Sequence, residues 1–485
     1  MSDQGARGLI KNLNIWEAIG ISVALMAPSM AANINPQGTA GTVGRAVPVA
    51  FALATAGILL VAYGFVRLCQ NFHHAGSVYG FVGATTGPRS GVVAGWGLIG
   101  TYIFYACVTS MAAGIFGSKF LDEIGVWRNQ PSWAGFLVGA IAITLAYFLA
   151  IAPARNGTRT LLILEAFTVI LILITSFIIL GKLMGGHAPG GHKIDTSVFT
   201  IPSGTGTSTI FLGVVFGFLS FAGFEAAATL GEEARNPRRD IPRAILGTAI
   251  FGGIYFVFVT AIEVMGFGTD AAGIKAFINS GSLMGDLGTQ YVGAWMGTII
   301  TLGAAISAFG CCLACIVGSS RMLFAMGRDG ENRRLTSISA KNGIPVFATQ
   351  IITATAVLIM ALWAILGKVK PFDIFVGSGV IGTLILIAVY VLATFGAIKF
   401  LFFSGQKRVP GWEIIIPVVG LAVLIYTLYR NVFPFPTSGA ARIYPIASGI
   451  WLALGIIAVF ARPALTKKLG AKLIADENLS AALTK

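Results

Sequence analysis

The sequence predicts an all-α polytopic membrane protein of about twelve transmembrane helices. Three observations carry this. Apolar runs long enough to cross a bilayer recur along the whole chain, Lys and Arg gather at alternate connections, and two runs are broken in their middles. Hydrophobic residues make up 56% of the 485 and charged ones only 11%, with mean hydropathy +0.83, so polar surface is too scarce to solvate a soluble fold.

A helix needs roughly 20 apolar residues to cross the hydrocarbon core. On that criterion the spans are 15–41, 46–68, 90–118, 133–152, 159–184, 208–230, 242–266, 290–325, 345–367, 373–402, 412–430 and 443–461. With the N-terminus placed inside, the inner ends and loops hold 23 of the 33 Lys and Arg, among them Arg67, Arg89 and Arg321. This bias predicts that both termini are cytoplasmic. The net charge of +14 is mostly the same bias, and it suits an anionic inner leaflet. No basic run is interleaved with aromatics, so no nucleic-acid partner is expected. Residues 1–14 are polar and no typical cleavage site follows, so no cleavable signal peptide is expected. Without a long soluble domain or organelle signal, the simplest setting is a bacterial inner membrane.

The spans fall into two blocks of five, 15–184 and 208–402, joined by a Gly-rich external linker, 185–207. Segment 403–461 adds spans eleven and twelve, and 462–485 is a cytoplasmic tail. Five is odd, so the second block must sit inverted in the membrane. Each block begins with its broken span, which is the pattern of a transporter with its site near the bilayer midplane. Cys311, Cys312 and Cys315 sit mid-span without a partner cluster and read as small packing residues. His187 and His192 read as solvated linker residues. No metal and no cofactor are expected.

The first break is Ala27-Pro28-Ser29. Pro28 lacks an N–H and crowds the carbonyl of Ala24, and a half-helix restarts near Ser29. Its first amides, over Pro28, Ser29, Met30 and Ala31, and the Ser29 hydroxyl suit a carboxylate. The second break lies around Ser220-Phe221-Ala222-Gly223, where glycines permit unwinding. Free carbonyls from Phe218 to Ala222 would accept an ammonium. Together the breaks form a receptor for a free amino acid. Phe221 and Phe224 read as gating residues over the substrate, Phe221 first, with core packing as the alternative. Glu225 is the one acid of span six and reads as a proton-responsive group or as a carboxylate held by local hydroxyls. Glu165 is a second proton-coupling candidate, and Glu263 lies nearer the outer end.

Three stretches resemble the amino acid–polyamine–organocation permeases. One is Gly223-Phe224-Glu225 followed by Gly231-Glu232-Glu233-Ala234-Arg235-Asn236-Pro237 and on to Ala244. The others are Ala75-Gly76-Ser77-Val78-Tyr79-Gly80 with Gly91–Trp96, and Ser320-Arg321-Met322-Leu323-Phe324-Ala325-Met326-Gly327-Arg328-Asp329-Gly330. As plain structure, Pro237 and Pro242 would stop and restart helices. The resemblance covers about residues 15–402. It implies the five-plus-five inverted-repeat (leucine-transporter-like) fold with helices one and six broken, alternating access, and a site between spans one, three, six, eight and ten. Tyr102 and Ser378 join the expected lining on that basis. Many members of the family place Gly-Ser-Gly in the first break, where this chain has Ala27-Pro28-Ser29. Some proton-coupled members carry a lysine in mid-span five, and Thr168–Ile174 has none. Ion coupling therefore stays open. Sodium has candidate ligands in the carbonyls around Ala24 and the Ser307 hydroxyl, protons have Glu225 or Glu165, and exchange needs neither.

The expected function is a secondary active permease for amino acids or related amines. A polyamine or cationic amino acid antiporter and a transport-inactive sensor are its rivals. No catalytic constellation stands at bilayer depth, so an enzyme is not expected.

Overall fold

A computed structural model describes residues 15–461 and 463, apart from 73–76, 153–154, 231–233, 331–333, 340–343, 368, 406–407 and 437–438. The N-terminal segment, most of the C-terminal tail, Ala75-Gly76 and Gly231-Glu232-Glu233 lie outside the described residues. Among the described residues there are helices and no β-strand. The first half holds α1 (Ile15–Met26), α2 (Pro28–Val43), α3 (Val47–Asn71), α4 (Ser77–Thr86), α5 (Pro88–Glu123), α6 (Ala134–Ala150) and α7 (Arg155–Met184). The second holds α8 (Thr207–Phe221), α9 (Pro237–Phe267), α10 (Ala271–Ile278), α11 (Leu283–Tyr291), α12 (Ala294–Asp329), α13 (Val346–Gly367), α14 (Pro371–Phe402), α15 (Ile415–Val432) and α16 (Ile443–Ala461).

Nine helical stretches among the described residues are long and apolar enough to cross a membrane, and α6 and α8 are shorter apolar helices. The first stretch, Ile15–Asn71, contains α1, α2 and α3. The chain is a multi-pass all-α membrane protein. Burial sorts its helices. The apolar windows of α14 and α5 are 83% and 78% buried, whereas those of α15, α13 and α16 are 28%, 22% and 17% buried. The former build the centre, and the latter are the most exposed of the apolar helices described. Centrally, α5 packs on α12 and α14, α3 on α9, and α2 on α8. The α2–α8 contact is tight because Gly38 lies under the ring of Phe216, where any Cβ would collide.

Two features differ from the sequence reading. α9 starts at Pro237 and runs through Pro242, so only the first proline marks a boundary. A ring in the first turns of a helix displaces few hydrogen bonds. Between α9 and α12, the two short helices α10 and α11 form where no span was drawn. Asp270 caps α10 by accepting from the Gly273 N–H at 2.9 Å.

Candidate substrate site at the two helix breaks

The first break is a single residue. Ala27 adopts φ 45°, ψ 59°, the left-handed region, and Pro28 opens α2. The hydrogen-bond ladder survives on both sides: the Ala27 N–H donates to Val23 O at 3.0 Å and the Ala31 N–H to Ala27 O at 2.8 Å. A left-handed alanine costs about 1–2 kcal/mol. The surroundings over-determine it.

The first amides of α2 leave the helix and meet side chains from two other elements. The Ser29 N–H donates to Glu165 Oε1 on α7 at 2.8 Å. The Met30 N–H donates to Ser307 Oγ on α12 at 3.2 Å. Ser29 is fully buried and its hydroxyl has no well-formed hydrogen bond. On the near side of the break, the Cys311 thiol donates to Leu25 O at 3.1 Å. Of the sodium candidates, the Ser307 hydroxyl already accepts from the Met30 N–H, and the Leu25 carbonyl next to Ala24 in the chain already meets a thiol. The Tyr255 hydroxyl donates to Pro28 O at 3.4 Å.

The second break is longer. α8 ends at Phe221, and a turn over Ala222–Glu225 leads into a short 3-10 segment, Ala226–Leu230. Gly223 holds φ 98°, and a Cβ there would lie 2.8 Å from the Cβ of Leu25, so the two breaks touch. They are also bonded. The Ala227 N–H donates to Ser22 Oγ at 3.0 Å. Asn35 Nδ2 donates to Ser220 Oγ at 2.7 Å, and Asn35 Oδ1 has no partner.

Glu225 is 2% exposed, and one of its carboxylate oxygens has no hydrogen bond. The Tyr390 hydroxyl of α14 approaches it, and Tyr102 and Tyr105 of α5 stand within electrostatic reach. Tyr102 packs over Gly318 of α12, and the Tyr105 hydroxyl bonds Thr383 Oγ1 at 3.0 Å. Ser378 is fully buried with an unpartnered hydroxyl. Phe224 sets its ring edge-on to Tyr390, 5.9 Å between centroids. Phe221 turns the other way and packs edge-on to Phe256 of α9 at 5.5 Å.

The structure therefore gathers two groups. Ser29, Met30, Glu165 and Ser307 meet at the first break, and Glu225, Tyr102 and Phe224 at the second. Phe221, the last residue of α8, packs on α9 at Phe256 and Gly252, beside Met26 of the first break. The sequence reading does not single out Asn33, Asn35, Gln37, Tyr255 or Tyr390, and it reads Cys311 only as a small packing residue, whereas its thiol meets the Leu25 carbonyl. The three amides on α2 had a signal: they are polar residues at alternate positions inside an apolar run, which a bilayer does not tolerate without partners. All three are buried. Asn33 Oδ1 accepts from Ser282 Oγ at 2.8 Å, Met284 N at 3.0 Å and Gly285 N at 3.2 Å, and so caps α11. Gln37 Nε2 donates to Ser280 O at 2.5 Å.

Interrupted helices that touch inside an apolar bundle, with buried polar groups around them, define a polytopic permease fold. A family model described as amino acid permease matches residues 17–468, and the chain belongs to that family. It is 26% identical to the low-affinity putrescine importer PlaP of Escherichia coli (strain K12), over 59% of this chain and 60% of the importer. This match spans less than two thirds of that relative. It is 25% identical to the branched-chain amino acid permease BcaP of Bacillus subtilis, over 72% of this chain and 74% of that one. It is 28% identical to the human cationic amino acid transporter 4, over 59% of this chain and 45% of that one.

Proposed function

We propose that the protein is a secondary active transporter that moves amino acids or related amines across the bacterial cytoplasmic membrane by alternating access. One observation carries the reading: the two helix breaks meet at Leu25 and Gly223, and buried hydrogen-bonding groups without partners surround them. Such groups are costly in a bilayer unless a ligand uses them. The amino acid permease family and relatives named for putrescine and branched-chain amino acids support the same cargo.

In this reading the chain crosses the membrane twelve times, with α1–α2 and α8 opening two inverted five-span repeats and both termini inside. Ser29 and the backbone of Pro28–Ala31 receive the cargo carboxylate. The Phe218–Ala222 backbone receives the amine, and Ser220, Tyr102 and Ser378 line the space between. Glu225 adds a negative charge ringed by tyrosines, an arrangement that favours an ammonium. Phe224, which leans on Tyr390 beside Glu225, is the gating ring, and Phe221 is packing. A proton rather than sodium is the coupling ion, because the Cys311 thiol already serves the Leu25 carbonyl at the candidate sodium position.

The test is uptake of labelled L-leucine, L-arginine and putrescine into proteoliposomes, with proton and sodium gradients imposed separately. Saturable uptake driven by the proton gradient is the expected result. Uptake driven by sodium alone would overturn the coupling, and no uptake or exchange of any probe by folded protein would overturn the transport reading.

A further inference from the structure

We infer that Glu165 is a resident stand-in for the cargo carboxylate, so that a proton and an amino acid must bind together. This rests on the transport reading above. The start of α2 has a small supply of donors. Pro28 has no N–H. The Ala31 N–H is used inside the helix, on Ala27 O at 2.8 Å. The two that remain are already held, Ser29 N–H by Glu165 Oε1 at 2.8 Å and Met30 N–H by Ser307 Oγ at 3.2 Å. A carboxylate is thus seated where a carboxylate cargo would bind, and it belongs to the protein. The fully buried Ser29 hydroxyl, without a well-formed bond, lies at the same point and offers one more donor.

Two carboxylates cannot share these donors. Both need the same N–H groups, and two anions in contact in a low-dielectric interior repel strongly. Glu165 must therefore give up the Ser29 amide before the cargo takes it. Protonation does this. A neutral carboxyl is a weaker acceptor at a positive helix end than a carboxylate is. The proton stays on Glu165 while the cargo carboxylate occupies the amides, so one negative charge still faces the start of α2 after loading and only the cargo's ammonium is added to the site. When the cargo leaves on the far side, Glu165 loses the proton and reoccupies the amide.

The groups that face Glu165 fit this exchange. From α2 and α12 it meets Ser29 and Ser307, which do not titrate. From α9 it faces Tyr255, which also stands within electrostatic reach of Glu263, about two helical turns further along. Of the remaining elements packed on α7, α11 carries Asp286, which pairs with Lys119 and Ser280, and Tyr291, whose hydroxyl donates to Gly266 O. α1 carries Glu17 in its first turn. None of these facing groups is a cation, so nothing but the helix end and the serines holds the carboxylate in place.

The experiment measures the half-saturation concentration of L-leucine, L-arginine and putrescine in proteoliposomes of the full chain, from about pH 5 to about pH 8. For the amino acids it should fall as the outside is acidified, by up to about tenfold per pH unit, the limit for one linked proton. Putrescine has no carboxylate and should show no such slope. Glu165→Gln should abolish the slope for the amino acids and fix their half-saturation near the parent's acid limit. If that variant fails to fold, the parent's own contrast between amino acids and putrescine decides. A flat profile for the amino acids, equal slopes for all probes, a slope retained in Glu165→Gln, or transport of putrescine alone would each overturn the inference and leave the transport reading standing. A parent that moves none of the three would overturn the transport reading, and the inference with it.

Discussion

The two breaks solve the same problem in opposite ways. At the first, one left-handed residue interrupts the helix, and both exposed amides are taken by Glu165 and Ser307. The half-helix that follows is then bolted to α11 through Asn33 and to the end of α10 through Gln37, which donates to Phe277 O at 3.2 Å. At the second, a four-residue turn and a short 3-10 segment leave Glu225, Tyr390 and Ser378 with atoms that bond to nothing. At the first break both amides are held and one hydroxyl is left over, and on the inference above a proton frees the Ser29 amide, whereas the second keeps unmet bonding capacity for a cargo. The difference teaches where each kind of change is felt: loss of Asn33 in the half-helix after the first break strikes the scaffold, whereas loss of the carboxylates Glu165 and Glu225 strikes binding.

Asn33→Ala should have the largest effect. It strips the partner from three groups at the start of α11 and removes the bond to Ser29 O at 2.8 Å. Each buried group left unpaired costs about 1–3 kcal/mol. The loss should appear as a clear drop in Tm in detergent, and an unchanged Tm would break the picture of a bolted first half-helix. Gly223→Ala follows. It forces a side chain into a positive-φ position against Leu25, at a cost of about 1–3 kcal/mol. The opposite swap at the first break, Ala27→Gly, relieves left-handed strain and should shift stability by no more than about 1 kcal/mol, because glycine's extra freedom in the unfolded chain offsets the relief. Equal Tm changes for the two swaps would erase the contrast in backbone demand.

The smallest effect is expected far from both breaks. The hydrogen bonds that Asp195 accepts from Ser197 and Thr269 hold its carboxyl below the usual range. Its folded pKa is depressed, so its stabilisation is present above the ordinary carboxylate range and is lost as pH falls through the folded value. Asp195→Asn should lower Tm slightly at neutral pH and not at all in strong acid. A deficit independent of pH would show that the contact is not electrostatic.

The long helices are legible in the sequence because lipid demands uniformly apolar runs, and the positions of α3, α5, α12 and α14 follow from composition, while their ends differ from the expected spans by up to five residues. The interruption of the first span is legible because Pro28 cannot continue a helix. That Ala27 carries the left-handed turn is not, since nothing in an alanine's chemistry asks for it. The α10–α11 pair escaped because its helices are too short to be read as spans, and the cap on α11 is supplied by Asn33, distant in the chain. The pairing of Ser29 with Glu165 is invisible for the same reason: each residue carries its own signal, and the contact exists only once α2 and α7 are packed.

The measurement that most directly tests the account is counterflow of L-leucine, L-arginine and putrescine by the parent and by Glu225→Gln, paired with Tm for both proteins. The account predicts that Glu225→Gln keeps its Tm within about 1 kcal/mol of the parent's stability, because no hydrogen bond to the lost oxygen exists, while counterflow falls at least about tenfold. A variant that exchanges cargo as fast as the parent would contradict the placing of the cargo's amine at the second break.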